Sequence, residues 1–387
     1  MIQLSIEYLS RKHMQKIWID INTPKQVVYF SRLIKIFQDN GYEVLVTSRI
    51  YRELNQMLEI YRIKARIAGK HGGKELKGKL EASLDRAKQL TDIITKENPN
   101  ILVSLNSDVA ARVAFGLQIP HISSSDCPFA TAINKLTCPL LTKLLTPKAI
   151  KLEKWTQFGI SADKIIQYDA VDSVAWIKYL KPDPKILDDL QLTKQDLIVV
   201  LRPEETFAAY VLEFGIKEPV IFPTVRGILK EFPHAKIVAL PRYEEHIKQF
   251  KQAFKDKIII PEKVIDVPSL LSFASLVMGF GGTITQEGAI LGVPAISCYL
   301  GELWCDDYLE EKGLLYKAKT PEEAAQIALK ILKNRDEYLK RHKELAQREL
   351  QKMDDPIDKF AKVVIDYLKN LKSDSKPQMP RCSENDG

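Results

Sequence analysis

The sequence predicts an α/β protein of two Rossmann-like domains whose parallel sheets face each other across a cleft. Three observations carry this. The chain has 387 residues, too many for one typical core and enough for two. Short β-branched runs alternate with amphipathic stretches along its whole length, the pattern of parallel strands wrapped by helices. One stretch, residues 169–196, breaks the alternation: it holds two prolines, many charges and no obvious strand, and marks a junction.

In the first half the strands are expected at KIWID (16–20), EVLVT (43–47), IKARI (63–67), ILVSL (101–105), HISS (121–124) and LLT (144–146). Helices fall between them, one over 27–39 stopped by Gly41 and one over 80–96 stopped before Pro99. The second half repeats the theme with LIVVL (197–201), KIVAL (236–240), KIII (257–260), LVMG (276–279) and AISCY (295–299). A last helix, 357–371, follows the breaker Met353–Pro356 and is long enough to cross back onto the first domain. The plan is therefore a first domain over 14–168, a linker over 169–196, a second domain over 197–352 and a crossover helix within 353–371. Residues 1–13 find no partner in the pattern, so Met14 fits as a start, and the polar stretch 372–387 reads as a disordered tail.

A composition of 45% hydrophobic and 28% charged residues is that of a globular protein, not a disordered or fibrous one. The cysteines are odd in number, form no C-x-x-C pair and have no clustered histidines, so a reducing cytoplasm and no metal site are expected. No apolar run reaches the roughly 18–20 residues of a membrane span, and Glu7 interrupts the core a signal peptide would need. The net charge of +7 is mild, but Lys64–Lys79 (KARIAGKHGGKELKGK) concentrates cations in what reads as a flexible loop. Two roles stand for it: a solvated surface, or contact with phosphates of a ligand or of the inner membrane face. It lacks interleaved aromatics on which bases could stack, so nucleic acid is not an expected partner.

The stretch GFGGTITQEGAILGVP, Gly279–Pro294, clusters glycines around one carboxylate. It reads as a strand, a glycine turn and a helix from Thr283 to Leu291 closed by Gly292. Unpaired N–H groups and the positive end of a helix dipole make such a turn an anion site. A reading without a ligand also stands, because Thr283 and Gln286 have capping-box spacing. Glu287 lies one turn beyond Thr283 on the same face, where its carboxylate can accept both hydroxyls of a ribose. The G-x-G-x-x-G fingerprint is not met, since Ile284 stands at its third glycine and the acid lies inside the helix; a mononucleotide diphosphate fits better than NAD.

Gly281–Glu287 followed by Gly292-Val293-Pro294 resembles the donor-binding motif of glycosyltransferases of the B fold (GT-B), most closely MurG. UDP-GlcNAc 2-epimerases look similar but have one residue fewer between the glycine pair and the glutamate. The resemblance implies a GT-B-like fold, a diphosphate held by Gly281, Gly282, Thr283 and Ile284, and a ribose held by Glu287. Ile119-Pro120, Ser125-Asp126-Cys127 and Asn134-Lys135 parallel MurG's I-P, E-Q-N and N-K segments, with E-Q-N replaced. More narrowly, residues 14–370 resemble a largely archaeal family described as glycosyltransferase-like. Its marks here are Asp20–Pro24, Gly69–Gly73, Arg202-Pro203-Glu204, Pro241-Arg242 and Asp354-Asp355-Pro356. Many relatives carry histidines at the positions of Thr23 and Gln26; none stands there in this chain, which removes a histidine base near the first strand.

The resemblance implies a transferase that moves a sugar from a UDP-sugar to a glycan, lipid-linked or other acceptor. Arg202 and Arg242, each just past a strand, suit the leaving diphosphate. Asp20 and Asp126 are the candidates for the base, although an Asp past a strand can equally cap a turn. Asn22, Thr23, Lys70, His71 and Asn134 fall on the acceptor side. No D-x-D motif occurs in the expected cleft, Asp306-Asp307 being adjacent, so neither a metal nor a cofactor beyond the nucleotide sugar is expected. Two rivals stay open: an epimerase acting on the nucleotide sugar, and a non-catalytic nucleotide-sugar-binding protein.

Overall fold

The computed structural model describes residues 14–51, 54–73, 75–203, 219–241, 244–299 and 301–374. The leader, Arg242, Glu204 and the tail from 375 lie outside the described residues. The chain divides into two compact units. The first comprises the chain to Thr146 with Leu152–Gln167 and everything from Ile357; the second comprises Pro147–Lys151 and Tyr168–Pro356.

The first unit is built on a seven-stranded sheet of β1 (Lys16–Ile21), β2 (Glu43–Ile50), β3 (Arg66–Lys70), β4 (Ile101–Ser104), β5 (His121–Ser124), β6 (Lys143–Pro147) and β7 (Ile165–Tyr168), in the order β3-β2-β1-β4-β5-β6-β7. β1 pairs in parallel with both β2 and β4. Its Ile17, Trp18, Ile19 and Ile21 are wholly buried, as a strand covered on both faces requires. Pro24 at the first turn starts the helix Pro24–Asp39, which buries Val27, Phe30, Leu33, Ile34 and Phe37 at helical spacing. The last helix, Pro356–Asp374, buries Ile357, Phe360, Val364 and Leu368 within this same unit, and Gln15 Nε2 donates to Leu368 O at 3.2 Å.

The second unit repeats the plan with β8 (Ile198–Arg202), β9 (Lys236–Ala239), β10 (Ile258–Ile259), β11 (Leu276–Gly279), β12 (Ala295–Ser297) and β13 (Leu315–Lys317), ordered β10-β9-β8-β11-β12-β13. Val199, Leu201, Ile237, Ala239, Met278 and Ile296 meet Val225, Ile228 and Phe250 in its core. Both sheets run outward from their first strand in two directions. The reversals fall between β1 and β4 and between β8 and β11, and the carboxyl ends of strands at such switch points are where open α/β sheets bind ligands.

Several expectations need correction. The stretch 169–196 is no free linker: it lies in the second unit, with helices Val174–Ile177 and Lys185–Asp189 and buried Val171, Ile177, Ile186 and Leu187. Helices of one turn are too short for a hydrophobic period to show. Nor is Lys64–Lys79 simply a loop. It contains β3 and the start of the helix Leu76–Glu97, and a Cβ on Gly72 would lie 2.3 Å from Gly78 O, so the ends of the turn are in contact. The third strand starts three residues later than expected, and β7 and β13 were not legible. Both end their sheets and are short, with little periodic signal.

Candidate functional site

β11 ends at Gly279, whose register partner across the switch point is Arg202 at the end of β8. The chain then turns through buried Phe280, which packs edge-on against Tyr299 at 5.7 Å, and through Gly281 and Gly282 into the helix Thr283–Ile290. Gly282 is the N-cap, with no side-chain cap, so the N–H groups of the first turn have no helical acceptor. The capping-box alternative does not hold. Thr283 is the first helical residue, and Gln286 Nε2 donates instead to Asp306 Oδ1 at 2.9 Å.

The two glycines answer to different constraints. Gly281 has φ 72°, and a Cβ there would lie 2.3 Å from Leu303 Cδ1 and 3.2 Å from Asp306 Oδ2, so its neighbour is the protein itself. Gly282 has φ 81° and ψ −163°, a region open essentially to glycine alone, yet among the described residues nothing lies within 4 Å of where its Cβ would be. Residues 281–284 are half-buried while 285–290 are buried. The accessible part of this element is thus the part whose N–H groups have no helical acceptor.

Glu287 lies in the buried part, 6% exposed, and accepts a hydrogen bond from Trp176 Nε1 at 2.8 Å. Trp176 comes from the one-turn helix Val174–Ile177, in the stretch the sequence marked as a junction. Asp306, on the helix Trp304–Glu311, is wholly buried and ties the turn together by accepting from Gln286 and, at 2.7 Å, from Ser297 Oγ. Burial pushes its carboxyl up to about 6, helped by Asp307 and opposed by those two hydrogen bonds and by Lys317. Arg202 donates from Nη1 to Leu240 O at 2.6 Å, which ties the guanidinium to the chain just past β9. Burial, and then the Arg202 charge, push His246 below the ordinary histidine range.

The residues expected in the first unit fare differently. Asp20 does not fit a base. It is wholly buried and paired with Arg86 Nη2 at 2.7 Å, and it accepts from Thr47 Oγ1 at 2.5 Å, Ser107 Oγ at 2.7 Å and Asn22 Nδ2 at 2.8 Å. Burial alone would raise its carboxyl, but Arg86, with Thr47 and Ser107, holds it below the usual range. Every oxygen is occupied by a donor, so proton uptake would break a buried network. Behind it, burial pushes His121 down to about 3 against the pull of Asp20, which leaves a neutral ring bonded to Ser104 Oγ at 2.8 Å. Asp126 keeps access, its side chain 17% exposed, and pairs with Lys25 Nζ at 2.8 Å. Burial raises its carboxyl, and Lys25 and the Cys127 thiol more than offset that.

Asn134 is a structural residue. Wholly buried, it donates from Nδ2 to Cys127 O and Pro128 O at 3.1 and 3.0 Å and accepts from Asn106, so no group is left to meet an acceptor. Thr23 is the N-cap of Pro24–Asp39 without a side-chain cap. Asn22, at the end of β1, donates to Asp20 and Ser107. Lys70 ends β3, and His71 follows it, its ring 4.7 Å from that of Tyr51. Trp176, Asp306 and Arg86 were missed. Nothing local to them signals a role, since each acts on a residue 111, 20 or 66 positions away. Among the described residues no group of three His, Cys, Asp or Glu is placed to hold a metal ion, and no helix is long and apolar enough to cross a membrane.

Two parallel sheets of matching order, with a glycine turn into a helix at the second switch point, define an α/β protein of the GT-B-like class. Solved structures bear this out. A putative UDP-N-acetylglucosamine 2-epimerase from Listeria monocytogenes matches with a TM-score of 0.71 at 18% identity, over 95% of this chain and 98% of its own. Anabaena HepE, solved with UDP and glucose, matches with a TM-score of 0.63 at 14% identity, over 92% of this chain and 100% of its own. The chain belongs to the family described as "Protein of unknown function (DUF354)", which matches residues 15–369. Within reach of sequence comparison it is 35% identical to the uncharacterized protein MJ0665 of Methanocaldococcus jannaschii, over 76% of this chain and 85% of that one.

Proposed function

We propose that the protein binds a UDP-sugar at the glycine turn of its second unit and transfers the sugar to an acceptor. The observation that carries this is the uncapped helix start beyond Gly282, open among the described residues where a side chain would be, with Glu287 one turn beyond Thr283. The diphosphate would meet the N–H groups of Thr283 and Ile284 and the Arg202 guanidinium, and Glu287, oriented by Trp176, would accept from the ribose. The MurG-like spacing of these residues supports the reading. So do the epimerases and HepE among the fold's neighbours, whose descriptions name UDP-sugars, UDP or glucose.

Transfer is preferred to epimerisation because the carboxylates run short. Epimerisation needs paired acid and base groups at the sugar, and Asp20 is sealed by its donors, which leaves Asp126 as the base we assign to the acceptor's proton. The fold of the epimerases favours the second reading, action on the nucleotide sugar alone. Calorimetric titration of UDP and UDP-GlcNAc tests the site: Glu287→Ala should weaken both, and unchanged affinity refutes the ribose assignment. Incubation with UDP-GlcNAc and no acceptor then separates the activities, because ManNAc appears only from an epimerase. Labelled UDP-sugars offered with cell lipids and glycans test transfer, and label left wholly in the donor would leave a binding protein.

A cytoplasmic setting with peripheral contact at the membrane face belongs to the same proposal. Its support is the helix Leu76–Glu97, which exposes Leu76, Leu80 and Leu84 (83, 60 and 62%) one turn apart beside Lys77 and Lys79. Vesicles containing phosphatidylserine should pellet the protein in low salt, and no salt-sensitive pelleting removes this part.

A further inference from the structure

At the carboxyl end of the first sheet a half-buried cation, Arg49, has no carboxylate partner among the described residues. Arg49, the last residue but one of β2, is half-buried, and its Nε donates to Asn22 O at 3.2 Å. Its guanidinium stacks 5.2 Å over the Tyr51 ring, whose other neighbour is His71. No carboxylate among the described residues touches it. Asp20 and Asp108 attract it from a distance, but Arg86 already pairs with Asp20 and repels Arg49 in turn. Burial, and then that repulsion, push the Arg49 guanidinium below its ordinary value. A guanidinium withdrawn from water without an anion is costly, and its flat fork of donors is shaped for two oxygens of one oxyanion.

Beside it stands a complementary acceptor. Asn22 Oδ1 is buried with no donor among the described residues, both amide hydrogens being spent on Asp20 and Ser107. An unmatched donor fork on β2 and an unmatched acceptor just past β1 thus lie at the carboxyl ends of neighbouring strands, beside the switch point between β1 and β4.

We infer that the carboxyl end of β1 and β2 is a binding site for a hydroxylated oxyanion, a sugar phosphate or a uronic acid, held by Arg49 through the anionic group and by Asn22 through a hydroxyl. This site is separate in residues from the glycine turn and stands whether or not UDP binds there.

Arginine labelling by phenylglyoxal, mapped by peptide mass spectrometry on the full chain, locates the site without any mutation. Glucose 6-phosphate or glucuronate should slow labelling of Arg49, while glucose should not, and Arg86, buried in its ion pair, should be indifferent to all three. Protection by the phosphate alone identifies a phosphorylated ligand, and by glucuronate alone a uronate. By calorimetry Arg49→Gln should weaken the protecting anion roughly 10- to 100-fold, the worth of a charged hydrogen bond, with Arg49→Lys in between. Glu287→Ala should leave the protection of Arg49 intact, so failure of the nucleotide site is read separately. Equal protection by glucose, or none by either anion, overturns the inference.

Discussion

Alanine at Gly281 and at Gly282 should fail in opposite ways, and the difference measures what each glycine is for. At Gly281 a Cβ meets Leu303 Cδ1 at 2.3 Å on a backbone of φ 72°. Left-handed strain of about 1–2 kcal/mol adds to overpacking of about 1–3 kcal/mol. Gly281→Ala should therefore lose about 2–5 kcal/mol of stability by urea unfolding. At Gly282 no described residue would meet the Cβ, and only the backbone objects. Strain of about 1–3 kcal/mol is partly offset by the about 0.4–1 kcal/mol gained through the stiffer unfolded chain, for a net of about 0–2.6 kcal/mol. The Gly282→Ala methyl, however, enters the space proposed for the diphosphate. Displacing one charged hydrogen bond there should weaken UDP roughly 10- to 100-fold. Calorimetry with UDP and urea unfolding on both variants are the assays. The reasoning is refuted if Gly282→Ala binds UDP like the wild type, or if it is the less stable of the two.

Three further outcomes follow from the buried polar groups. Asp306 titrates near 6 in the folded protein and near 3.8 when unfolded, so its contribution is fully present below pH 4 and lost as the pH rises to 6. That loss amounts to about 3 kcal/mol, and urea unfolding from pH 4 to 7 should show a flatter profile for Asp306→Asn; an unchanged slope would assign the pH dependence elsewhere. Asp20→Asn leaves Arg86 buried without a counter-charge and should cost about 3–5 kcal/mol of stability, whereas wild-type stability with lost turnover would restore Asp20 as a catalytic residue. Trp176→Phe removes the indole hydrogen bond to Glu287, with a stability loss of about 1.5–3 kcal/mol and weaker UDP binding. Full UDP affinity in that variant would show that Glu287 needs no such support.

Much of the fold was legible because parallel strands advertise themselves locally. KIWID, HISS and LVMG lie within β1, β5 and β11, where β-branched runs end at turn residues. The glycine turn was legible for a related reason, since a backbone at φ 72° and 81° admits few residues besides glycine and so writes its geometry into the chain. The spacing from Thr283 to Glu287 likewise fixes one helical turn without reference to anything distant. Burial and pairing leave no such local mark. Asp20 reads the same in sequence whether it faces a substrate or Arg86, and Asn134 the same whether it reaches out or staples Cys127 and Pro128. Only the tertiary structure decided between those roles, because a carboxylate's chemistry depends on the donors around it. Those donors arrive from strands and helices that the chain's own order keeps far apart.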